Sequence, residues 1–297
     1  MPLYRIQHRT TYRHETPVSS AWQTLHLRPR DEPGQTCLEF DLDISPRSLD
    51  LASRDDAFDN TLHIFSVRES HRHFSVNATS LVRREAPARP SADAEKLTLA
   101  SAPQATNEAI LKGEFLLEQF RHPSPLVPAV AGLDTLLADL DPAASLPDTL
   151  AALGKIFRDR FTFDPTATDI STPLADVLRH RRGVCQDFAH LYLACARRLG
   201  LAASYVSGYL LTEPPPGQPR LIGADAMHAW VAVQIPGFGW VDYDPTNHCF
   251  VGEGHIVVAR GRDYGDVCPV HGLYNGGGRH ALFIGVTVAP AEDLAQG

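Results

Sequence analysis

Apolar and polar positions alternate with a period of two through the first eighty residues. From residue 4 to residue 13, one parity carries Tyr4, Ile6, His8, Thr10 and Tyr12, and the other carries Arg5, Gln7, Arg9, Thr11 and Arg13. The segment CLEFDLDI (residues 37–44) repeats the alternation, and HFSVNATSLV (residues 73–82) repeats it more weakly. Such alternation is typical of strands with one buried face. Because Asp, Asn, Pro and Gly separate these segments, the pattern predicts an antiparallel β-sandwich over residues 1–86.

The periodicity changes beyond residue 86. Residues 87–104 are rich in Ala, Pro and Ser and have no clear period, which indicates a linker. Residues 107–120, 128–140 and 147–161 have the apolar spacing of helices, and strand-like segments return after Gly200. Helices followed by strands, without strict alternation, favour an α+β fold with an antiparallel sheet. We therefore expect a second domain over residues 105–297.

The segment RRGVCQDFAHLYLACARRLG (residues 181–200) predicts a helix with one buried face. Its apolar stripe falls at helical spacing and consists of Phe188, Leu191, Tyr192, Cys195 and Leu199. Gly200 is a typical residue just past a helix end. Cys195 lies within the stripe, so we interpret it as a small residue of the core.

Cys185 precedes this stripe and could either pack or react. Gly183 permits a tight turn before the helix, which places Cys185 at or near the helix N-terminus. Unpaired backbone N–H groups and the macrodipole favour an anion there, and the thiolate is the nucleophilic form of cysteine. The same N–H groups could receive an oxyanion formed on an attacked carbonyl. Since free cysteines are commonly buried, Cys185 alone leaves both interpretations open.

A predicted hairpin supplies candidate partners for the thiol. In MHAWVAVQIPGFGWVDYD (residues 227–244), His228 lies on one strand, and Asp242 and Asp244 share a face of the next. A register centred on residue 236, the first residue of the turn, would set His228 opposite Asp244. Parity does not separate the two aspartates. A cysteine nucleophile needs a base, and the base needs an orienting group, so the conjunction favours an enzyme.

Other histidines fit the role of base less well. His190 is five residues from Cys185 on the same helix, and at about 100° per residue it should point away. His8 and the other histidines of the first domain are interpreted as surface or strand residues.

Composition excludes several classes of protein. Hydrophobic residues make up 43% of the 297 residues, charged residues make up 21%, and the formal net charge is −8. These values are typical of a globular protein with no basic face for nucleic acid. The five cysteines follow no disulfide framework spacing, which fits reduced thiols. No stretch has signal-peptide character or spans a membrane, so we expect a cytoplasmic protein with neither a nucleic-acid nor a membrane partner.

Several segments taken together resemble bacterial transglutaminase-like proteins. GVCQDFAHLYLACARRLGLAASYVSGYL, MHAWVAVQIPGFGWVDYDPTN and VARGRDYGDVCPVHGLYNGG are similar to the transglutaminase-like core. The opening YRIQHRTTYRHETPVSSAWQTLHLRPR is similar to the β-rich N-terminal region that often precedes that core. The resemblance covers nearly the whole chain and is weakest over the linker and the helices before Phe161.

The resemblance implies a papain-like arrangement of Cys, His and Asp in that chain order. It implies Cys185 as the nucleophile, His228 as the base and then the acid, and Asp244 as the orienting residue. Asp244 is preferred over Asp242 because the family's acid directly precedes a Pro-Thr pair, here Pro245-Thr246. Further residues are expected to contact the substrate or to support the three: Gln186, Trp230, Trp240, Asp242, Arg262, Asp263 and Tyr264.

The resemblance also implies acyl transfer from amides through a thioester. Animal transglutaminases depend on calcium, but the sequence has no EF-hand-like run of ligands, so we expect no cofactor and no metal. We expect a peptide or protein substrate with an amide group and prefer water as the acyl acceptor. Transfer to an amine, as in a protein-glutamine transglutaminase, and a noncatalytic binding module are the alternatives. A structural zinc site formed by Cys249, His255, Cys268 and His271 is a further alternative, although its spacing matches no standard finger.

Overall fold

A computed structural model of the protein describes residues 1–88, 90, 94–212, 223 and 225–292. The strands, numbered in chain order, are β1 Leu3–Leu25, β2 Gln35–Ser45, β3 Leu49–Asp55, β4 Thr61–Val67, β5 His71–Arg84, β6 Thr162–Phe163, β7 Arg182–Gly183, β8 Ala203–Leu210, β9 Met227–Ile235, β10 Gly239–Asp244, β11 Cys249–Phe250, β12 His255–Gly261, β13 Val270–Gly276 and β14 His280–Pro290. The helices are α1 Ala102–Leu111, α2 Leu133–Leu137, α3 Leu146–Arg160, α4 Leu174–His180, α5 Cys185–Arg198 and α6 Tyr264–Val267, with 3₁₀ turns at Ala94–Lys96 and Phe115–Phe120.

The first sheet curls around the long strand β1. Residues 3–13 of β1 pair with β5, and residues 4–14 pair on the other side with β14. Beyond an irregularity between Arg13 and Val18, residues 21–25 pair with β4 and residues 18–25 with β13. The full order is β2-β5-β1-β4-β3, with β13 and β14 added along β1. Apolar side chains that include Leu25, Phe65 and Val76 form the core inside the curl.

This sheet draws strands from both predicted domains. The antiparallel β structure predicted for residues 1–86 is present, but β13 and β14 return from the second half of the chain to pair with β1. The boundaries 1–86, 87–104 and 105–297 stay a prediction, and residues 89 and 91–93 of the predicted linker lie outside the described residues.

The second sheet has the order β11-β10-β9-β8-β12 and is antiparallel throughout. Helix α5 packs on β8 and β9. The two antiparallel sheets and their helices confirm the predicted α+β class. Cys195 is completely buried, and burial raises the pKa of its thiol to about 12, as expected of a core residue. All residues of α5 from Asp187 to Arg197 are buried, so the helix is enclosed on every face.

Helix boundaries follow local signals that the periodicity alone did not contain. α3 begins where Ser145 Oγ accepts a hydrogen bond from the Asp148 N–H at 3.2 Å, close to the predicted start. The helix predicted over residues 107–120 is divided instead. α1 ends at Leu111, and Gly113 has φ +120°, a conformation that favours glycine and cannot continue a helix.

The two sheets join through side chains that cover the edge of β12. Gln35 donates from Nε2 to the Val257 carbonyl at 2.7 Å, and its Oε1 accepts from the Val257 N–H at 2.8 Å. Arg260 reaches Glu32 with Nε at 2.9 Å. The bonds from Gln35 supply hydrogen-bond partners for the Val257 N–H and carbonyl, which would otherwise be unpaired on this edge strand. Within the described part of the chain, no helix combines the length and apolarity needed to cross a membrane.

Candidate active site

Cys185 is the first residue of α5 and is half-buried. The first N–H groups of an α-helix have no partner within the helix and carry the positive end of its dipole. The thiol therefore lies where an anion is stabilised, as the sequence predicts. His190, on the same helix, points elsewhere: its Nε2 accepts from the Tyr264 N–H at 3.1 Å, and burial lowers its pKa to about 4.

The start of α5 is held by a carboxylate one turn into the helix. Asp187 Oδ2 accepts from the Val184 N–H at 2.8 Å and from Thr168 Oγ1 at 2.6 Å. Gly183 is needed for space, since a Cβ there would lie 2.7 Å from that same oxygen. The expected turn at Gly183 is instead made by Arg181, whose φ of +56° is left-handed. Gly183 is thus a site of close approach.

His228 and Asp244 meet across neighbouring strands of the second sheet. His228 Nε2 lies 2.6 Å from Asp244 Oδ2. The predicted register was wrong by two residues: Asp242 pairs with Ala232, so the pairing centres on residue 237. A two-residue shift preserves the face, and the imidazole meets the carboxylate diagonally. The geometry also separates the two aspartates, which parity could not do.

Asp244 is fully buried and saturated with hydrogen bonds. Its Oδ1 accepts from the backbone N–H groups of Thr246 at 2.9 Å and Asn247 at 3.1 Å. Its Oδ2 accepts from Asn247 Nδ2 at 2.7 Å in addition to the His228 contact. Burial opposes ionisation, but the hydrogen bonds from His228, His255 and Asn247 hold the pKa of Asp244 far below its ordinary value. The carboxylate is therefore a fixed negative charge.

A second imidazole, which the sequence assigns to the candidate zinc set and not to this site, completes the cluster. His255 Nε2 lies 3.1 Å from Asp244 Oδ2, and its Nδ1 accepts from the Gly252 N–H at 3.3 Å. Because Nδ1 is an acceptor, the proton is on Nε2 and the ring donates to the carboxylate. The spacing of His255 gave no signal for this contact, because β12 reaches the site only through its pairing with β8.

The proton affinity of His228 is raised by its two partners. Burial would lower the pKa of His228, but hydrogen bonds to Asp244 and to Cys185, together with the charges of both groups, raise it to about 10. Nε2 contacts Asp244, which leaves Nδ1 for the thiol. At neutral pH the imidazole is therefore charged and lies between two groups that stabilise this charge.

Cys185 and His228 both line a cavity of about 320 Å³. Its opposite wall comes from the first sheet, with His8, Thr10 and Tyr12 of β1. His8, which is expected to be a surface or strand residue, is a buried residue of strand β1, and burial lowers its pKa to about 4. The period-two alternation of β1 could have predicted this wall, because all three residues lie on the face of the strand that points inward.

The predicted neighbours divide into two groups. Gln186 and Tyr264 line the cavity. Trp230, Trp240 and Asp242 shared a predicted face with His228 or Asp244, but they are not among the described residues of the lining. Trp230 is fully buried, and its indole N–H donates to Asp242 Oδ2 at 2.8 Å.

Trp240, Arg262 and Asp263 also contact other residues of the protein and not the cavity. Trp240 packs edge-on against Phe120 with ring centroids 5.3 Å apart. Arg262 binds Asp266, with Nε 2.9 Å from Oδ2. Asp263 is buried and accepts from the Gly265 N–H at 2.8 Å, which caps α6. Outside Gln186 and Tyr264, the extended set therefore contacts the framework around the site.

Metal ligation was a competing interpretation of the histidines and cysteines. Among the described residues, one group of potential ligand atoms is compact enough, and it consists of His228, Asp244 and His255. Cys249, Cys268 and His271 are not in it, so the four residues of the predicted zinc set do not converge. The 2.6 Å between His228 Nε2 and Asp244 Oδ2 is a hydrogen-bond distance, whereas two ligands on tetrahedral zinc lie roughly 3.3 Å apart.

Comparison with known proteins identifies the family. The model of the bacterial transglutaminase-like N-terminal region matches residues 4–83, and that of the transglutaminase-like superfamily matches residues 136–245. An uncharacterized protein of Mycobacterium tuberculosis is 39% identical over 294 residues, which cover 97% of this chain and 93% of that protein. The chain belongs to the transglutaminase-like superfamily.

More distant proteins are also similar over nearly the whole length of the chain. An uncharacterized protein of Mycobacterium leprae is 29% identical over 288 residues, covering 96% of this chain and 97% of that one. The crystal structure of a candidate cysteine protease from Cytophaga hutchinsonii superposes with a TM-score of 0.77 at 18% identity, covering 98% of this chain and 91% of that chain. That structure shows the same fold across both halves of the chain.

Proposed function

We propose that this protein is a cysteine hydrolase of amide bonds that works through a thioester on Cys185. The observation that carries the proposal is that two of the three groups line one cavity and the third, a buried carboxylate, contacts the imidazole from behind. Cys185 at the start of α5 and His228 line the same cavity, where Cys185 contributes to the raised pKa of His228, and His228 Nε2 lies 2.6 Å from the buried carboxylate of Asp244. A nucleophile, a proton carrier and an orienting charge in this order form the arrangement that nucleophilic catalysis requires.

Acylation begins with the thiolate and the charged imidazole. The Cys185 sulfur attacks the carbonyl carbon, a C–S bond forms, and the carbonyl π electrons move to oxygen. Backbone N–H groups at the start of α5 stabilise that oxyanion. The C–N bond then breaks, and His228 donates its proton to the departing nitrogen. The products of this half-reaction are a free amine or ammonia and a thioester on a neutral-imidazole enzyme.

Deacylation reverses the proton movement. Neutral His228 removes a proton from water as the water oxygen attacks the thioester carbon. The C–S bond breaks, the carboxylic acid leaves, and the thiolate and imidazolium are restored. Asp244 keeps the ring oriented through both steps, because five hydrogen bonds fix its carboxylate.

The first experiment compares cysteines within one molecule. Cys249 and Cys268 are half-buried like Cys185, so they are matched controls for access. We expect iodoacetamide at pH 7 to alkylate Cys185 at least about tenfold faster than either control cysteine, because the charged imidazole of His228 stabilises the thiolate. His228→Ala should abolish the difference, whereas His122→Ala, at an exposed histidine, should retain it. Equal rates at the three cysteines would refute a catalytic thiol and favour a binding module.

The second experiment identifies the reaction. Purified protein is incubated with peptide, isopeptide and glutamine-amide substrates, with and without a primary amine. The masses of the products are measured by mass spectrometry. Hydrolysis gives a carboxylate at the cleaved amide, one mass unit heavier than a primary amide. Incorporation of the amine in its place would show transfer and replace water as the acceptor. Product formation must disappear in Cys185→Ala and persist in Cys249→Ala.

A further inference from the structure

The cavity beside Cys185 has an apolar wall that the catalytic groups do not use. This wall includes Leu282 and Ile284 of β14, together with Met227 and Val270. Leu282 is 47% exposed and Ile284 is 55% exposed, although both line the cavity. Their apolar surface is therefore open to solvent at the same place where the thiol is.

The alternation of β14 separates cavity residues from outer residues. Leu282 pairs with Tyr12 and Ile284 pairs with Thr10, and all four line the cavity. Phe283, between them, pairs with Thr11 and turns to the other face, where the Arg13 guanidinium lies 5.0 Å from its ring centroid. One strand thus presents two aliphatic side chains to the site and one aromatic side chain away from it.

The charges around the cavity disfavour an anionic occupant. Within the described part of the lining there is no lysine or arginine. His8 is neutral at pH 7 because burial lowers its pKa to about 4. Asp225 adds a carboxylate, whose Oδ2 accepts from the Val288 N–H at 2.9 Å. An acidic side chain or a free C-terminal carboxylate would meet this negative group. The His228 imidazolium also lines the cavity, but its charge is already paired with the buried carboxylate of Asp244.

We propose that this cavity binds an uncharged apolar side chain next to the scissile amide, and that Leu282 and Ile284 select it. The inference rests on the proposed function, since Cys185 and His228 in the same cavity define where the amide must lie. A volume of about 320 Å³ is at the small end of ligand pockets, which suits one side chain. Removing apolar surface from water supplies the selectivity.

The test uses chloromethyl ketones of acetyl-leucine, acetyl-glycine and acetyl-glutamate, with iodoacetamide as a small reference reagent. Rates of modification of Cys185 are read by peptide mass spectrometry. We expect leucine to react about tenfold or more faster than glycine, since each methylene in an apolar pocket contributes roughly that factor, and glutamate to react no faster than glycine.

Three matched variants locate the selectivity. Leu282→Thr and Ile284→Thr replace a cavity residue by a β-branched polar one that strands accept, and Phe283→Thr makes the same change on the outer face. Only the first two should bring the leucine-to-glycine ratio toward one, and the iodoacetamide rate of each variant corrects for any change in the reactivity of the thiol itself. The inference is overturned if the ratio survives in both cavity variants, if Phe283→Thr loses it equally, or if glutamate is preferred. Iodoacetamide rates at Cys185 equal to those at Cys249 would overturn the proposed function as well.

Discussion

His255 donates a 3.1 Å hydrogen bond from Nε2 to Oδ2 of Asp244, which is the oxygen that His228 also contacts. The Gly252 N–H fixes the tautomer of His255 from the other side of the ring. Because the hydrogen bond from His255 to the candidate site ends on Asp244, we infer that His255 positions the carboxylate.

Replacing His255 tests this positioning role. His255→Phe keeps a ring but removes the donor, and a hydrogen bond to a charged group contributes about 1.5–3 kcal/mol, so we expect kcat to fall about tenfold or more with little change in KM. His255→Gln, whose amide can reach the Nε2 position, should restore most of the rate. If His255→Phe has normal kcat, or if Gln fails to restore it in a folded protein, the positioning role is wrong.

The alkaline limit of activity should depend on Asp244. The pKa of His228 is raised to about 10 in part by the hydrogen bond to Asp244, so the imidazolium should persist until about pH 10. Asp244→Asn removes the negative charge, and the pKa of His228 should fall. Histidine NMR titration measures this directly, and the high-pH limb of kcat/KM should move to lower pH with it. Asp41→Asn, at an exposed position of β2, is the control and should leave both unchanged.

Folding stability should also depend on pH through His228. Its pKa is higher in the folded state (about 10) than its ordinary value of 6.5, so the folded protein binds this proton more tightly. The resulting stabilisation is complete below about pH 6.5 and is lost as pH rises toward 10. Urea unfolding of the wild type and His228→Gln from pH 6 to pH 10 should show a stability difference that shrinks with pH. A difference that grows with pH would contradict the raised pKa.

Gly183 should tolerate no side chain. In Gly183→Ala the new Cβ would lie 2.7 Å from Asp187 Oδ2, so the carboxylate must move and the Val184 N–H loses its acceptor. We expect a loss of about 1–2 kcal/mol in stability, typical of a lost helix cap, and slower alkylation of Cys185. Gly254→Ala is the comparison, because its Cβ would meet only the Leu211 Cβ at 3.4 Å. Equal effects of the two variants on alkylation would argue against this account of α5.

Asp242 should support the stability of the fold, whereas Asp244 should support the reactivity of Cys185. Asp242 accepts from the Trp230 indole and lies 3.1 Å from Arg260 Nη2, and Arg260 also binds Glu32. Asp242→Asn should therefore cost about 1–3 kcal/mol of unfolding free energy, as expected when a buried polar partner is weakened. Iodoacetamide labelling of Cys185 below the melting transition should stay normal, whereas Asp244→Asn should slow it. Loss of labelling in the Asp242 variant would assign that residue to the reaction.

The sequence predicted those parts of the site that depend on local pattern. Cys185 at a helix start and His228 on a strand follow from periodicity over a few residues. The choice of Asp244 came from the family motif, because Asp242 shares its parity. Neither the periodicity nor the family motif predicted the features that depend on strand pairing. These are the register of β9 and β10, the position of His255 on β12 beside Asp244, and the cavity wall that His8 contributes from β1. Each depends on which strands pair, and the pattern within one strand does not specify its neighbours.

The two tryptophans are not among the described residues of the cavity lining, for a related reason. Trp230 lies on the same face of its strand as His228, but other parts of the chain pack over that face at Trp230. Its indole N–H donates a hydrogen bond to Asp242. Parity gives the face of a sheet and not the layer that covers it. The same limit explains why the boundary predictions did not anticipate that β14 pairs with β1.

That pairing of β1 with β14 has a consequence for how the protein is made. The ribosome produces the strand that carries His8 first, Cys185 much later, and the strand that carries Leu282 and Ile284 later still. The nascent chain must therefore hold β1 with one side unpaired until β14 emerges, and such long-range closures are slow steps in folding. A chain stalled before β14 would contain Cys185, His228 and Asp244 but would lack one wall of its cavity. Synthesis itself thus delays the completed site until β14 is added.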